Sequence, residues 1–334
     1  MSHHSPAPVA VLHSCIAPTS LLAAIVPAYP LASPLDCRLL LRGVNDTYLL
    51  QTTTARYIVR VYHAHRRTLS AILFELDALL YLDRQHISVS IPLARQDGQF
   101  VSTLHAPEGL RYVVLFTYAA GTPLNRHAVT DSFAYGKAVA MLHAATEDFT
   151  SMHQREPLDL TTLLDHSLQL LSPLTAWYPL DWDYLQAIAA RLHTHIQVYA
   201  AQDLEWGWCH GDSHLLNTHC DTNGTLTFFD FDCCAMGWRV YDLATVRWSE
   251  GFYEMDPDDR LWEAFLAGYR EQRPLTPTTL AAIPAFVAVR EIWHLALEAS
   301  LRPLSGFQGF ERVIQRTVRL LHLWEARYFP HERA

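Results

Sequence analysis

Apolar residues near the start of the chain follow the spacing of β-strands around one helix. Residues 38–62 contain "RLLL", "TYLLQT" and "RYIVRVY", separated by the turn "GVND" and a polar break, and their β-branched and aromatic content is typical of strands. Residues 68–83 repeat apolar side chains at helical spacing, with Thr68 as the capping residue. A further strand is predicted at 111–121. The first 118 residues are therefore expected to form a small, mostly antiparallel sheet with one helix.

From about Asp131 the apolar spacing becomes helical. Residues 204–250 interrupt this pattern with short strands and turns. The order predicts an α+β fold of two parts, an N-terminal lobe at 1–118 and a larger, mainly helical C-terminal lobe at 119–334. The predicted helices cover residues 131–147, 158–172, 182–203, 258–271, 277–300 and 308–328.

Charge and composition narrow the possible partners. The chain has 334 residues and a formal net charge of −9, and Lys137 is its only lysine. No run of Lys or Arg forms a basic stripe, so nucleic acid is not expected as a partner, and a neutral or cationic small molecule fits the charge better. The six cysteines lack a disulfide spacing, and the apolar run "LLAAIV" is too short to cross a bilayer. We therefore expect a cytoplasmic protein with reduced thiols and no membrane partner.

The segment "NTHCDTNGTLTFFDFD" predicts a β-hairpin. Its Asn223-Gly224 pair lies between two strand-like runs, which favours a two-residue type I′ turn. In that register Asn217 faces Asp230, with Cβ atoms about 4.5–5.5 Å apart. Their amide and carboxylate oxygens can then reach one hard cation. Asp212 lies shortly before Asn217, on the loop that leads into the hairpin.

Histidines and cysteines around this segment also raise the possibility of a zinc site. The spacing argues against it, because no C-x₂-C or H-x₃-H pairing of the structural zinc type is present. Adjacent cysteines on a strand point to opposite faces. Packed thiols and ordinary polar histidines account better for the set, which comprises Cys209, His210, His214, His219, Cys220, Cys233 and Cys234.

Three motifs resemble the aminoglycoside phosphotransferase and choline kinase superfamily, whose pattern is H-G-D-x-H-x-x-N followed by a later Asp. They are "HGDSHLLN" at 210–217, "FFDFD" at 228–232 and "YDLA" at 241–244. The resemblance implies a bilobal, protein-kinase-like fold. It also implies transfer of the γ-phosphate of ATP or GTP to a hydroxyl group, with Mg²⁺ as cofactor.

The same resemblance assigns roles around the hairpin. Asp212 is expected to be the catalytic base, and Asn217 and Asp230 are expected to bind Mg²⁺. Asp232 either approaches a second Mg²⁺ or terminates the strand. The residues expected to shape or brace the catalytic loop are His210, His214 and Asp242.

Nucleotide contacts are expected in the N-terminal lobe. The usual strand lysine is absent, and Arg60 in "YIVRVY" takes the matching position, with Glu75 on the next helix as its partner. By the same resemblance, Gly43 and Asn45 belong to the loop over the phosphates. Backbone groups around Thr117 to Ala119 would contact the adenine edge.

The acceptor is expected on the C-terminal lobe, beside the catalytic loop and the late helices. It remains open among an antibiotic, a small metabolite such as choline, ethanolamine, homoserine or methylthioribose, and a protein serine. A catalytically silent binding protein with the same fold is the alternative of another class.

Candidate acceptor contacts lie in and around the late helices. The acids in "MDPDDRLWEAF" also suit a helix start, with Asp256 as N-cap. Candidate acceptor contacts are Arg247, Trp248, Glu250, Tyr253, Glu254, Arg290, Glu291, Trp293 and His294.

Overall fold

The computed structural model describes residues 9–178, 180–253 and 258–328. Its N-terminal part contains a five-stranded sheet in the order β1-β2-β3-β5-β4, with every neighbouring pair antiparallel. The four strands predicted for this part are therefore all present, and β4 is additional. The strands are β1 (Pro34–Arg42), β2 (Asn45–Thr52), β3 (Arg56–Tyr62), β4 (Val101–Ala106) and β5 (Gly109–Thr117).

Two helices, rather than the single predicted one, cover the sheet. Helix α2 (Leu69–Arg84) follows β3, and Thr68 caps it by accepting a hydrogen bond from the amide of Ala71 at 3.1 Å. Helix α1 (Pro18–Ile25) packs its buried Leu21 against the opposite face of the sheet. The sequence pattern missed α1 because eight residues span barely two helical turns, too few to establish a period.

A buried ion pair anchors the chain segment before α1 to the sheet. Nη2 of Arg111 on β5 donates to Oδ2 of Asp46 at 2.8 Å, and both side chains are completely buried. Nη1 of Arg111 donates to the carbonyl of Ser14 at 3.0 Å, and Nε2 of His13 lies 3.0 Å from Asp46. Burial alone would raise the pKa of Asp46, but hydrogen bonds from His63 and Arg111 hold it well below its usual range.

Replacing Arg111 by Leu is expected to destabilise the protein by about 3–5 kcal/mol, because it leaves the Asp46 carboxylate buried without its counter-charge. Urea unfolding followed by tryptophan fluorescence measures the effect. Arg42→Leu is the matched control, since Arg42 approaches the same carboxylate from a side chain that is 46 % exposed. Equal stability of Arg111→Leu and Arg42→Leu would contradict the assignment.

The C-terminal part is mainly helical, as predicted. Its helices are α3 (Val129–Ala145), α4 (His166–Leu171), α5 (Trp182–Ala200), α6 (Val240–Tyr253), α7 (Asp259–Arg270), α8 (Pro277–Ser305) and α9 (Phe310–Tyr328). Its short strands are β6 (Thr122–Pro123), β7 (Trp206–Cys209), β8 (Thr218–Cys220), β9 (Leu226–Phe228) and β10 (Ala235–Trp238).

Helix α6 was not predicted, because its sequence lies in the stretch expected to hold only short strands and turns. Residues 241–249 are all buried. A helix enclosed on every side lacks the polar stripe that reveals helical periodicity.

The N-cap of α7 differs from the predicted one. Asp256, expected as the N-cap, lies outside the described residues, and Asp258 caps this helix by accepting a hydrogen bond from the amide of Arg260.

Helix α8 runs through the centre of the C-terminal part. By length and composition it could span a membrane, but 67 % of its most apolar window is buried inside the protein. Such burial is typical of the core helix of a globular domain.

The hairpin turn differs from the predicted two-residue type I′ turn. Strand β8 is connected to β9 by a longer loop, in which Oδ1 of Asp221 accepts hydrogen bonds from the amides of Asn223 and Thr225 at 2.8 Å each. Gly224 alone in this loop takes a positive φ, of 82°. The Asp221 side chain therefore satisfies the loop amides, and Asn223 has no need of the left-handed conformation that a type I′ turn demands.

The longer loop shifts the hairpin register by one residue. Thr218 pairs with Phe228, and the amide of Phe229 donates to the carbonyl of Asn217 at 3.0 Å. The prediction that Asn217 lies directly opposite Asp230 was wrong. Asp230 instead follows the end of the ladder with a positive φ of 62°, an uncommon conformation for a residue other than glycine.

Candidate active site

Arg60, on the central strand β3, connects the sheet to two other parts of the chain. Its Nη1 donates to Oε1 of Glu75 at 2.6 Å, and its Nη2 donates to Oδ1 of Asp230 at 3.0 Å. Glu75 lies on α2 and is only 1 % exposed, whereas Asp230 follows β9. The predicted Arg60–Glu75 pair is therefore formed, and it extends to Asp230.

The Arg60 guanidinium is strongly favoured in its charged form. Burial disfavours the guanidinium charge, but Glu75 and Asp230 together raise the pKa of Arg60 well above its ordinary value. Burial raises the pKa of Glu75, while Arg60 opposes that effect. The hydroxyl of Tyr62 donates to the second oxygen of Glu75 at 3.0 Å. A fixed positive charge is thus held at the surface of the sheet that faces the hairpin.

Asp212 lies on the loop between β7 and β8. Arg290, from α8, pairs with its Oδ1 and donates to the carbonyl of Gly211 at 3.0 Å. Nδ2 of Asn217 donates to Oδ2 of Asp212 at 3.2 Å, and Nε2 of His214 lies 3.5 Å from the same oxygen. Burial alone would raise the pKa of Asp212, but Arg290 and His214 hold it well below its usual range. Asp212 is therefore ionised at neutral pH.

Asp242, at the start of α6, braces this loop from beneath. Its carboxylate accepts hydrogen bonds from the amides of His210 and Gly211 at 2.7 and 2.8 Å. It also lies 2.9 Å from Nε2 of His143 on α3. Burial would raise the pKa of Asp242, but these contacts lower it. The loop geometry thus depends on a completely buried carboxylate, at the position where the resemblance implies one.

A cavity of about 400 Å³ lies between the sheet and the hairpin. One end is polar and is bordered by Arg60, Glu75, Asn217 and Asp230. The remaining walls are largely apolar and suit a flat heterocyclic ring. Their side chains, several of which the sequence analysis did not single out, include Leu40, Leu41, Ile58, Phe116, Tyr118 and Leu216.

The polar end of this cavity has the donor chemistry of a hard divalent cation site. Asp230 supplies a carboxylate, and Asn217 supplies an amide oxygen because its Nδ2 is already bonded to Asp212. Desolvation in the cleft raises the pKa of Asp230, Arg60 opposes that effect, and the carboxylates of Asp232 and Asp212 add to it. A bound cation would offset this repulsion, so the residues present fit a divalent metal.

The expected phosphate-loop residues lie in the β1–β2 hairpin. The amide of Gly43 donates to the carbonyl of Asn45 at 3.1 Å, and the side chain of Asn45 is buried. Neither residue borders the cavity, whereas Leu41 and Thr47 of the same hairpin do.

The expected adenine-edge contacts follow β5. The amide of Thr117 donates to the carbonyl of Ile91 at 2.9 Å, and the carbonyl of Ala119 accepts from Nδ1 of His219 at 2.8 Å. Ala119 and the neighbouring Tyr118 border the cavity, and Thr117 does not. Phe116, near the end of β5, and Tyr118, directly after it, both border the cavity, which is the two-residue spacing of an extended chain.

The expected acceptor contacts are mostly paired with one another. Nε1 of Trp248 donates to Glu291 at 2.5 Å, and Nη1 of Arg247 donates to Glu250 at 3.0 Å. Burial raises the pKa of Glu250 to about 7. None of these five borders the cavity beside the hairpin: Trp293 borders a second cavity and Arg247 a third. The side chain of Tyr253 and all of Glu254 lie outside the described residues.

His294, on α8, is expected to make the stability of the protein depend on pH. Burial lowers its pKa to about 3, so below its unfolded value of about 6.5 the unfolded chain takes up a proton that the folded chain excludes. The free energy of unfolding should therefore fall on acidification from pH 6.5 to 5, by about 1.4 kcal/mol per pH unit for this group. Urea unfolding of wild type and His294→Gln measures the difference in slope, with the exposed His105→Gln as control. An unchanged slope in His294→Gln would refute the assignment.

Asp232 is held by arginines that the sequence analysis did not single out. Nη2 of Arg67 donates to its Oδ2 at 3.2 Å, and Nη2 of Arg155 donates to its carbonyl. Asp232 is 3 % exposed and lies in the turn Phe231–Cys233, after the end of β9. Its sequence neighbours give no local sign of these partners, which come from distant segments.

The histidines and cysteines of the motif region form no metal cluster among the described residues. Among the described residues, one group of His, Cys or acidic side chains is close enough together to hold a metal ion. It lies in the N-terminal part and consists of His13, Asp46 and His63. All six cysteines lie in described segments and are free thiols.

Comparison with known families identifies the fold and the reaction class. Residues 36–279 match the family described as phosphotransferase enzyme family. The chain belongs to this family. It is a phosphotransferase that acts on hydroxyl groups, with the α+β, two-lobed fold of the kinase-like enzymes.

Individual relatives of this phosphotransferase span most of its length. An uncharacterized protein of Deinococcus radiodurans is 38 % identical over 323 residues, covering 95 % of this chain and 92 % of the relative. A homoserine kinase of Chelativorans sp. is 27 % identical over 277 residues, covering 79 % of each. The solved structure of amicoumacin kinase hAmiN, in complex with AMP-PNP, Ca²⁺ and Ami, has a TM-score of 0.74 at 20 % identity and covers 93 % of each chain.

Proposed function

We propose that this phosphotransferase transfers the γ-phosphate of Mg²⁺-bound ATP to a hydroxyl group of a small molecule. One observation carries the proposal: hydrogen bonds link a candidate metal site, a fixed cation and a carboxylate at the polar end of a nucleotide-sized cavity. Asn217 and Asp230 border it as oxygen donors, Arg60 binds Asp230, and Asn217 binds Asp212. Phosphoryl transfer needs a metal site, a fixed cation and a carboxylate close to one another.

In this proposal the two lobes divide the work. Residues 1–118 hold the nucleotide, with Gly43 and Asn45 in the loop over the phosphates and the Thr117–Ala119 segment at the base. GTP is the alternative nucleotide. Residues 119–334 carry Asp212 and the acceptor site, and we propose a cytoplasmic location, where nucleotide and reduced thiols coexist.

Each side chain near the cavity then has a chemical task. Asp212 orients the acceptor hydroxyl and accepts its proton, and Arg290 keeps Asp212 ionised beforehand. Arg60 presents a permanent positive charge to the phosphates, a task for which Arg can replace Lys. Mg²⁺, when bound by Asn217 and Asp230, neutralises charge on the phosphate oxygens. His210, His214 and Asp242 hold the loop in shape.

The acceptor is proposed to be a small alcohol rather than a protein. The relatives include enzymes named for an antibiotic and for an amino acid, amicoumacin and homoserine, and both names denote small molecules.

Calorimetry tests the proposal without knowledge of the acceptor. ATP should bind in the presence of Mg²⁺ and bind much more weakly without it, and Asp230→Asn should remove this difference. ADP release measured across a library of small alcohols, with Asp212→Asn as the blank, then tests transfer. Equal ATP binding with and without Mg²⁺ would overturn the proposal and favour a silent binding protein.

A further inference from the structure

A second cavity, of about 670 Å³, opens beside the N-terminus of α2. Three arginines border it: Arg66 and Arg67 precede α2, and Arg155 comes from the segment between α3 and α4. Among the described residues that border it, Glu156 is the single acid. The cavity therefore carries local positive charge, although the whole chain is acidic. Charges beyond about 8–10 Å are screened at physiological salt, so the local sign governs what binds here.

The three arginines differ in how far nearby carboxylates neutralise their charges. Arg67 and Arg155 both bind Asp232, as described above. Arg66 has no partner among the described residues, and its Nε is buried without a hydrogen bond. Burial lowers the pKa of Arg66. The carboxylate of Asp232 raises this pKa, but the positive charges of Arg67 and Arg155 lower it further. Enclosing a guanidinium whose charge Asp232 offsets only in part is costly, and an anionic ligand would reduce that cost.

This cavity adjoins Asp212 through two contacts. Cys233 borders the cavity, and its carbonyl lies so close to Gly211, the residue before Asp212, that a Cβ at Gly211 would clash with it. Trp293 also borders the cavity, and its ring centre lies 4.4 Å from the guanidinium carbon of Arg290, the partner of Asp212. Two residues of the cavity wall, Cys233 and Trp293, therefore contact groups that lie directly beside Asp212.

The turn Phe231–Cys233 separates this cavity from the proposed nucleotide site. Asp230 and Phe231 border the nucleotide cavity, whereas Cys233 borders the second one. A molecule in the second cavity would lie on the other side of this turn from the nucleotide. An acceptor bound there would not compete with the nucleotide for space.

We propose that this arginine cavity, defined by Arg66, Arg67 and Arg155, binds an anionic group of the acceptor. The acceptor is then a small alcohol that also carries a carboxylate or a phosphate. Arg66 supplies the unmatched charge and a planar donor pair for either oxyanion. The first turn of α2 adds amide groups and the positive end of the helix dipole. This inference rests on the proposed function.

Anion binding can be measured without any phosphoryl transfer. Inorganic phosphate is titrated by calorimetry into protein saturated with Mg²⁺ and AMP-PNP, which blocks the nucleotide site. We expect wild type to bind phosphate and Arg66→Gln to bind it at least tenfold more weakly, as expected for loss of one charge-assisted hydrogen bond. Arg84→Gln, at the other end of α2, is the matched control and should bind like wild type. Equal phosphate affinity in wild type and Arg66→Gln would overturn the proposal.

Acceptor pairs of matched shape then test the acceptor class. γ-Hydroxybutyrate is compared with butane-1,4-diol, and glycerol 3-phosphate with glycerol, so the two arms distinguish carboxylate from phosphate. In wild type we expect kcat/KM at least tenfold higher for the anionic member of one pair. Arg66→Gln should abolish this preference mainly through KM.

The two proposals fail in different ways. If neutral alcohols are phosphorylated as well as the anionic ones, or if none of the anionic alcohols is accepted while Mg²⁺-dependent ATP binding is intact, the acceptor assignment is overturned and the nucleotide assignment stands. Loss of Mg²⁺-dependent ATP binding from the wild type would instead remove the proposed function on which the inference depends.

Discussion

Asp212→Asn is expected to lower kcat by about 10²–10⁴-fold, the usual contribution of a general base. The amide cannot accept the hydroxyl proton, but it preserves the size of the side chain. Nucleotide affinity should change little, because Asp212 does not border the nucleotide cavity. Coupled ADP release measures kcat, and calorimetry with Mg²⁺ and ATP measures affinity.

A matched replacement separates loss of the catalytic base from a general effect of replacing an aspartate by asparagine. Asp221→Asn makes the same chemical change in the hairpin loop, where the side-chain oxygen of Asn can still accept the hydrogen bonds from Asn223 and Thr225. Its turnover should equal that of wild type. If Asp212→Asn retains wild-type turnover, the proposed base is wrong. Loss of ATP binding in the same variant would point to a structural role for Asp212.

Arg60→Gln is expected to raise the KM for ATP by about 10–100-fold, the loss expected for a charged hydrogen bond to phosphate. It should also destabilise the fold by about 3–5 kcal/mol, because Glu75 stays buried without its counter-charge. Initial-rate kinetics and urea unfolding measure the two effects.

Tyr62→Phe provides the control for Arg60. It removes one hydrogen bond to Glu75 but leaves the ion pair intact, so it should cost only about 0.5–1.5 kcal/mol and leave the KM for ATP unchanged. An Arg60→Gln variant with wild-type KM would show that Arg60 serves only the fold. Equal destabilisation by both variants would show that the ion pair is not the important contact.

The motifs at 210–244 were sufficient to predict the reaction class, because phosphoryl transfer needs few groups at short and regular spacing. Strands β2, β3 and β5, helix α2 and the long C-terminal helices could also be predicted, since each has one apolar face and a clear period. Arg60 and Glu75 could be paired because a strand and the helix directly after it are close in sequence and in space.

Elements without such a pattern could not be predicted. Helix α1 is too short to show a period, and α6 is buried on all sides and shows none. The hairpin register depended on one side chain, Asp221, whose hydrogen bonds to the loop amides replaced the expected two-residue turn. A shift of one residue in register reverses which side chains share a face of the hairpin. The loop conformation at Asp221 is therefore the reason why Asn217 does not lie opposite Asp230.

The sequence by itself determined that the chain is a two-lobed phosphotransferase with Asp212, Asn217 and Asp230 grouped around one loop. That information is local, since backbone spacing along a loop and a hairpin limits how far these residues can separate. Only the tertiary structure decided that Arg290 pairs with Asp212, that Arg67 and Arg155 hold Asp232, and that Nε of Arg66 is buried without a hydrogen-bond partner in the described part of the chain. These contacts join segments that are distant in sequence, and nothing in the local pattern of either segment specifies its partner.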